Sequence, residues 1–350
     1  MKNEKKLTIV FSIFISIMAI VFVVFNIYNK KGTYSTTNYY LDTVNQITLI
    51  NTRKLKAEKA LKGVDKLILK INNEMSMQLP GSELSKINAN AGIRPTKVSD
   101  DIYYVIKKSI HYSDLTKDTF DVTVGPLTSL WNIGNSNARV PSKEEITRLL
   151  PLVNYKDIVF NDKDKTIFLK KKGMKIDLGG IAKGYCADRV HEYLKENGIN
   201  DAIINLGGNI FVMGKNKKGD NFVVGIQDPS DKQSDPMGSI TDTDVSVVTS
   251  GIYERYIIKD GKLYHHMLNP KTGYPFDNNL SSVTIVSKKS IDGDSLSTSL
   301  FGLGLEKGLK MANSIDNVEA IFITRNGKVY ITNNLKGKFN IINPKYTLAN

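Results

Sequence analysis

A long apolar segment at the start of the chain limits its fold more than any other feature. Residues 7–29 contain no charged side chain and consist mainly of Ile, Val, Phe and Met. As a helix rising about 1.5 Å per residue, this segment is long enough to cross the roughly 30 Å of hydrocarbon in a bilayer. A cleaved signal sequence has a shorter apolar region and a small-residue cleavage site. We therefore predict an uncleaved, single-pass N-terminal membrane anchor.

Charge and cysteine content add less about location. Three lysines precede the apolar segment and two follow it, so the lysine distribution favours neither orientation strongly. We expect a cell-membrane protein with its large domain on the extracytoplasmic side. The single cysteine, Cys186, excludes an intramolecular disulfide, and a chain nearly free of cysteine tolerates an oxidising exterior. The formal net charge of +13 comes from dispersed lysines without a nucleic-acid-binding motif, so nucleic acid is not an expected partner.

Helix and strand patterns are interspersed along the rest of the chain without a regular alternation. Residues 43–50 alternate as a strand does, and apolar residues in 57–71 recur at helical spacing. Asp260-Gly261 and Asn326-Gly327 each lie between β-type runs and predict hairpins. The patterns predict an α+β protein in which mixed helices and short strands form one large domain or two lobes.

The expected organisation has four parts. Residues 1–32 form the membrane anchor, 33–39 a polar tether, 40–335 the large folded domain and 336–350 a C-terminal tail. We expect the tether and the tail to be loosely ordered.

Two distant segments carry the most informative chemistry. Residues 177–184 form a glycine-dense turn that enters a helix, a form in which backbone groups approach a phosphate or its metal. Asp294 and Thr298 are four residues apart, on one face of a helix. Neither G-x-G-x-x-G nor the phosphate-loop motif fits, because Tyr185 stands where the latter needs lysine. Each segment alone is common in turns or helix starts; together they indicate a hard-metal diphosphate site.

Further motifs accompany these two segments in a fixed order. They lie at residues 120–127, 177–188, 205–209, 249–255, 265–266, 270–275 and 294–298. In the content and the order of these motifs, the chain resembles the FAD:protein FMN transferases, the ApbE-type flavin transferases. The resemblance extends from about Tyr40 to about Tyr330.

The resemblance implies a reaction and a metal site. The reaction would be a Mg²⁺-dependent transfer of FMN from the substrate FAD to a Thr or Ser hydroxyl, through a phosphoester bond and with release of AMP. The implied metal ligands are the Asp294 carboxylate, the Thr298 hydroxyl and the Ala182 main-chain carbonyl. Mg²⁺ takes one or two carboxylates and completes its shell with phosphates and water. Mn²⁺ is the alternative ion.

The resemblance also implies a base and a set of flavin-binding residues. His266 would accept the proton of the acceptor hydroxyl, with the adjacent His265 as its rival. The implied flavin-binding residues are Leu41, Phe120, Asp121, Asp177, Lys183, Ser250, Leu268 and Thr272. The chain departs from the family pattern at Asp42, where glycine is usual, and at Asn269, where aspartate is usual.

The acceptor and two competing functions stay open at this point. In the family's acceptor motif a Gly-Ala step precedes the modified residue, and this chain has no Gly-Ala dipeptide. The expected acceptor is therefore another protein, an exported or membrane-bound flavoprotein. With water as acceptor, the same site would be an FAD pyrophosphatase that yields FMN and AMP. A non-catalytic exported flavin-binding protein would need neither base nor metal.

Overall fold

The protein is described here from a computed structural model that covers residues 2–117, 119–231 and 235–350. The apolar N-terminal segment is helix α1 (Lys2–Asn29). Its window Lys6–Val23 has a mean hydropathy of 2.5 and none of it is buried in the protein. Within the described ranges α1 is the one helix long and apolar enough to cross a membrane, and its length and composition fit an anchor or a signal sequence.

The remaining elements are given in chain order. The strands are β1 (Lys31–Tyr40), β2 (Thr43–Arg53), β3 (Thr96–Lys97), β4 (Ile158–Asn161), β5 (Thr166–Leu169), β6 (Ala202–Leu206), β7 (Asn209–Met213), β8 (Phe222–Ile226), β9 (Gly238–Asp242), β10 (Val245–Gly251), β11 (Tyr256–Lys259), β12 (Lys262–His265), β13 (Leu280–Ser287), β14 (Val318–Thr324), β15 (Lys328–Ile331), β16 (Phe339–Ile341) and β17 (Thr347–Leu348). The helices are α2 (Lys54–Met75), α3 (Glu83–Ala89), α4 (Asp100–Leu115), α5 (Gly125–Trp131), α6 (Lys143–Leu149), α7 (Ala182–Glu196), α8 (Ser290–Leu303) and α9 (Leu305–Ala312).

A nine-stranded sheet forms the centre of the molecule. Its strand order is β1-β2-β6-β7-β10-β13-β14-β15-β17, and every pairing is antiparallel except that of β15 with β17. Two three-stranded sheets, β16-β9-β8 and β3-β5-β4, and the β11–β12 hairpin complete the strand pairing. Mixed helices and sheets of this kind confirm the predicted α+β class.

The large sheet is covered on both faces. Helices α2, α7 and α8 pack on one face, where Ile47 and Leu49 of β2 belong to the larger apolar core. On the other face, Val212 and Val247 pack against the small sheet β16-β9-β8 through residues such as Ile240. Burial on both faces explains why the central strands are nearly continuous runs of Ile and Val.

Local sequence signals account for several elements. The apolar positions of 57–71 form the buried side of α2, as their helical spacing predicted. Asp260 and Gly261 both have positive φ, 53° and 73°, as in the two-residue turn that joins β11 to β12. Ser99 is the N-cap of α4, since its hydroxyl accepts the Ile102 N–H.

The structure corrects the expectation of loose order in residues 33–39 and in the tail. Residues 33–39 are most of β1, which pairs with β2 from Lys31 to Tyr40. Thr and Tyr favour extended backbone, and β2 supplies hydrogen-bond partners along the edge, so this polar segment is ordered. The tail contributes β16 and β17. The domain boundaries themselves stay predictions.

Candidate active site

A cavity of about 840 Å³ lies at one end of the nine-stranded sheet. The turns that join β1 to β2 and β6 to β7 border it, together with the end of β10, the start of α7 and one side of α8. The sequence-predicted residues that line it are Leu41, Phe120, Asp121, Asp177, Ala182, Lys183, Ser250, His266, Leu268, Asp294 and Thr298. Of the twelve candidates, Thr272 alone is absent from this lining.

A close contact between α7 and α8 forms one wall of the cavity. The Gly184 N–H of α7 donates to Oδ2 of Asp294 at 2.9 Å, and Nζ of Lys183 lies 3.6 Å from Oδ1 of the same carboxylate. A Cβ at position 184 would lie 2.4 Å from the Ser290 carbonyl oxygen and 2.7 Å from Cβ of Asp294. Glycine is therefore needed here for the two helices to approach. The contact joins the two segments that the sequence analysis singled out.

Asp188 of α7 holds the start of α8 in place. Its carboxylate accepts the N–H groups of Ser290 at 2.6 Å and Ile291 at 2.9 Å. The N-cap residue of α8, Lys289, makes no side-chain cap, so Asp188 takes that role from the neighbouring helix. Burial raises the pKa of Asp188 to about 7. Helix α7 thus presents Ala182 and Lys183 to the cavity and also fixes α8, the helix that carries Asp294.

Strand β10 supports the other candidate metal ligand of α8. Oγ of Ser250 lies 2.8 Å from Oγ of Ser297 and 3.1 Å from Oγ1 of Thr298. A Cβ at Gly180 would lie 3.8 Å from Oγ1 of Thr298, so the glycine turn passes directly beside this hydroxyl. The predicted ligands from α7 and α8 therefore border the same space.

The donor chemistry of this wall suits a hard cation with few protein ligands. Its candidate groups are one carboxylate (Asp294), one hydroxyl (Thr298) and one carbonyl (Ala182). The part of the chain that the structure describes has no group of three or more His, Cys, Asp or Glu residues suited to a metal. Mg²⁺ commonly accepts this arrangement, because substrate phosphates and water complete its octahedral shell.

Two aspartates on the glycine-turn side shape the backbone of the cavity. Oδ1 of Asp177 accepts the Gly179 N–H at 2.9 Å, and its Oδ2 accepts the Thr128 hydroxyl at 2.7 Å. Oδ1 of Asp121 accepts both the N–H and the hydroxyl of Thr123, and its Oδ2 accepts the Tyr155 N–H at 3.1 Å. Both carboxylates line the cavity while fixing the loops that form it.

The two adjacent histidines have different surroundings. His266 lines the cavity, and its Nδ1 lies 3.2 Å from the Arg255 carbonyl oxygen. Because a carbonyl only accepts, Nδ1 carries the proton and Nε2 keeps a lone pair. Burial lowers the pKa of His266 to about 4, so the ring is neutral at pH 7. His265 is buried beside Phe301 with Nε2 2.9 Å from the Phe276 carbonyl oxygen, outside the lining of the cavity.

The turn between β1 and β2 forms the opposite rim. Leu41 and Asp42 have positive φ of 54° and 55°, a conformation that glycine would adopt without strain. The Asn72 side chain accepts the Leu41 N–H at 2.9 Å, and Arg255 donates to the Asp42 carbonyl oxygen at 3.0 Å. These two hydrogen bonds hold a strained turn at the cavity mouth.

Thr272 is not among the residues that line the cavity. It lies exposed in a turn that closes on itself, where the Gly273 N–H donates to the Asn269 carbonyl oxygen at 2.8 Å. The Thr272 hydroxyl accepts the Tyr274 N–H at 3.4 Å within the same turn. In the same turn, the Gly273 carbonyl oxygen accepts a hydrogen bond from Nε1 of Trp131 at 2.8 Å. The turn therefore supports the apolar cluster that includes Trp131 and Leu268.

Several lining residues are not among the predicted site residues. Residues 75–78 at the end of α2, residues 132–135 after α5, and Gln227 after β8 all border the cavity. Asn132 has a left-handed backbone, φ 52°, which ends α5 and directs the following loop along the cavity. No local pattern indicates Gln227, because it arrives from the small sheet on the far side of the large one.

Comparison with known proteins agrees with this geometry. The profile of the ApbE family matches residues 37–322. A Klebsiella pneumoniae protein named FAD:protein FMN transferase is 37% identical over 283 residues, which are 81% of this chain and 88% of that protein. A Treponema pallidum protein of the same name is 30% identical over 330 residues, covering 90% and 91% of the two chains.

Solved structures agree on the fold. The crystal structure of an ApbE protein from Thermotoga maritima superposes with a TM-score of 0.80 at 31% identity, over 87% of this chain and 99% of that one. The flavin transferase ApbE from Vibrio cholerae gives a TM-score of 0.79 at 28% identity, over 88% and 100%. Fold and cavity therefore define an enzyme of the flavin transferase class. The chain belongs to the ApbE family.

Proposed function

We propose that this protein transfers FMN from FAD to a Thr or Ser hydroxyl of an acceptor protein, with Mg²⁺ as its metal. The transfer forms a phosphoester and releases AMP. The names of the Klebsiella and Treponema relatives support the reaction class. In this chain, the observation that most supports the reaction is the hydrogen bond from the Gly184 N–H to Asp294, beside a cavity that His266 also lines.

The size and lining of the cavity support FAD binding. Its volume of about 840 Å³ lies within the range typical of small-molecule sites. Phe120, Leu268 and Leu41 offer apolar surface to the isoalloxazine ring. The positive end of the α7 helix dipole and the Lys183 ammonium, both at the cavity wall, suit the diphosphate. Ser250 adds a hydroxyl on the α8 side.

Asp294, Thr298 and Ala182 would hold the Mg²⁺ ion, with Mn²⁺ as the alternative. When bound, the ion would offset the diphosphate charge and stabilise the departing AMP. The carboxylate of Asp294 is only 4% exposed and is oriented by the Gly184 N–H, so it meets the substrate without rearrangement. Lys183 places a second positive charge next to the same carboxylate.

His266 would act as the general base. Its Nε2 takes the proton of the acceptor hydroxyl while the hydroxyl oxygen bonds to the phosphorus on the FMN side of FAD. The bond from that phosphorus to the AMP oxygen breaks, AMP leaves, and the imidazolium returns its proton to solvent. The lowered pKa of His266, about 4, keeps the base neutral before each turnover.

The proposed location is the extracytoplasmic face of the cell membrane, with α1 as a single-pass anchor. The described apolar side chains of α1 lie outside the protein core, which supports a helix surrounded by lipid. An exported or membrane-bound flavoprotein is the acceptor that this location favours.

The test mixes the full chain, FAD and Mg²⁺ with candidate acceptor proteins. Mass spectrometry should find an FMN adduct on a Thr or Ser of the acceptor and an equal amount of AMP. AMP with free FMN and no adduct would favour the pyrophosphatase, and bound FAD without AMP would favour a flavin-binding protein. Transfer that persists in the Asp294→Ala, Thr298→Ala double variant would refute the metal assignment.

A further inference from the structure

The membrane helix and the cavity lie at opposite ends of the nine-stranded sheet. Lys31 starts β1 and pairs with Arg53 at the end of β2, whereas Tyr40 pairs with Thr43 at the other end. The cavity is bordered by the turn at this second end, through Leu41 and Thr43. The sheet therefore separates the point where the chain leaves α1 from the place where FAD would bind.

Almost no chain separates the membrane helix from the sheet. Helix α1 ends at Asn29 and β1 begins at Lys31, so Lys30 is the single residue between them. Helix α1 also contacts α2. A flexible linker of many residues would let the domain lie at many distances from the membrane surface, but a single connecting residue allows little variation in that distance. The ten residues of β1, at about 3.3 Å each, give the sheet a length of roughly 30 Å at this edge.

The end of the sheet nearest α1 is basic. It includes the end of β2, the start of α2, the turn after β7 and the end of β13, and we call it the basic end. Its exposed or half-buried cationic residues are Lys30, Lys31, Arg53, Lys54, Lys215, Lys217, Lys218 and Lys288. Five carboxylates lie on the same turns or beside them: Glu58, Asp201, Asp220, Asp242 and Asp244. The eight cations outnumber these five carboxylates, and Leu55 beside Lys54 is 59% exposed.

We propose that the basic end rests on anionic lipid headgroups, so that β1 holds the cavity mouth roughly 30 Å from the membrane surface. The proposal rests on the anchoring role of α1 and is independent of the chemistry in the cavity. Lysine and arginine next to a membrane span are attracted to anionic lipid, and the exposed Leu55 adds an apolar contact at the interface. The headgroups would thus fix the tilt that a single-residue connection leaves open.

The arrangement selects acceptors by geometry. An acceptor hydroxyl must be presented roughly 30 Å from the membrane surface, a distance set by the ten-residue β1. A Thr or Ser carried on a folded domain or a stalk meets this requirement, whereas one at the headgroup level does not. A membrane-bound acceptor must therefore project its Thr or Ser from the membrane.

Two single labels on the full chain test the orientation. The native thiol of Cys186 is buried, so Ser136→Cys beside the cavity and Lys217→Cys at the basic end can each be labelled selectively. The proteins are placed in nanodiscs of phosphatidylcholine with phosphatidylglycerol and a nitroxide-headgroup lipid as short-range quencher. We expect the label at position 217 to be quenched at least twofold more than the label at 136. Equal quenching of the two labels would overturn the proposal.

A charge variant tests the role of the lipid headgroups. Arg53→Gln, Lys54→Gln and Lys218→Gln together should bring the quenching of the two labels closer, as should nanodiscs without phosphatidylglycerol. The matched control, Lys143→Gln, Lys259→Gln and Lys262→Gln, removes the same charge elsewhere and should leave the difference unchanged. An unchanged difference in the first variant would refute the headgroup contact. Failure of the chain to co-elute with nanodiscs would refute the anchor, and neither result bears on FMN transfer.

Discussion

The two sides of the cavity are built in different ways. On the helix side, α7 and α8 meet so closely that the Gly184 backbone contacts Asp294, and Asp188 caps α8. On the loop side, His266 and the Leu41-Asp42 turn are each held by one or two hydrogen bonds to Arg255 or Asn72. The helix side is fixed by backbone packing, and the loop side by a few polar contacts at the surface.

This difference separates the effects of substitutions. On the helix side, a change of shape disturbs folding and the site together, because the interior is close-packed and cannot absorb an added atom. A change of charge without a change of shape should affect chemistry alone. On the loop side, both kinds of change should affect activity more than stability.

The largest effect is expected from Asp294→Asn. Asparagine keeps the shape and can still accept the Gly184 N–H, but it removes the negative charge. We expect FMN transfer to fall about 1,000-fold, or about 4 kcal/mol in activation free energy, with an unchanged unfolding midpoint. The assay is adduct formation followed by mass spectrometry. Asp292→Asn is the control, because Asp292 binds Tyr112 and Lys108 away from the cavity, and a comparable loss in this variant would contradict the assignment.

Gly184→Ala should give the next largest effect, this time on stability. Its Cβ would lie 2.4 Å from the Ser290 carbonyl oxygen, so α7 and α8 must separate. We expect a loss of about 3 kcal/mol in the free energy of unfolding, measured by urea denaturation. Gly32→Ala serves as the control, since its Cβ meets only the Tyr34 side chain, at 3.1 Å. Equal stability of the two variants would mean that the helices are less tightly packed than the structure shows.

On the loop side, His266→Ala should reduce kcat about 100-fold while the Kd for FAD changes less than about threefold. The ring contributes a proton acceptor and only one hydrogen bond, to Arg255, so the fold should persist. Stopped-flow transfer and fluorescence titration of FAD measure the two quantities. His191→Ala, which removes a ring stacked on Phe211, should transfer normally. An equal loss of kcat and FAD affinity would reduce His266 to a binding residue.

The smallest effect concerns pH and the buried His265. Burial lowers its pKa to about 4, while in the unfolded chain the ring takes up a proton near 6.5. The unfolded state therefore binds more protons between these values, and stability from this group declines as pH falls from about 6.5 to about 4. Asp188, whose raised pKa of about 7 acts in the opposite sense, titrates equally in both proteins compared below.

The measurement for His265 is the difference between wild type and His265→Gln. Unfolding free energies from pH 7 to 4 should decline less steeply in the variant, whatever its stability at pH 7. Identical slopes in the two proteins would show that the ring is not kept neutral by burial.

Local patterns predicted much of the fold. The helical spacing in 57–71 gave α2, the alternation in 43–50 gave β2, and the Asp260-Gly261 turn gave the β11–β12 hairpin. Each of these signals depends on a short window of residues, so it can be recognised without knowledge of the tertiary structure. The failure at residues 33–39 has a different origin, because this polar segment lacks the apolar alternation that predicts a strand and is ordered by pairing with β2.

Motif chemistry reached most of the cavity but not its geometry. Eleven candidate residues line one space, whereas Thr272 turns away because its loop hydrogen bonds to itself. Gln227 could not be found, since it crosses from another sheet. Distinguishing His266 from His265 also needed the structure, because neighbouring residues at the end of a strand point to opposite sides.

The sequence by itself determined the apolar helix at the start and the α+β mixture. Each of these depends on periodicity or residue type within a short window. The tertiary structure alone decided that Gly184 meets Asp294 and that helix α1 joins the sheet at the end remote from the cavity. The pattern of apolar residues indicates which face of a helix or strand is buried, but only the tertiary structure shows which other element packs against that face.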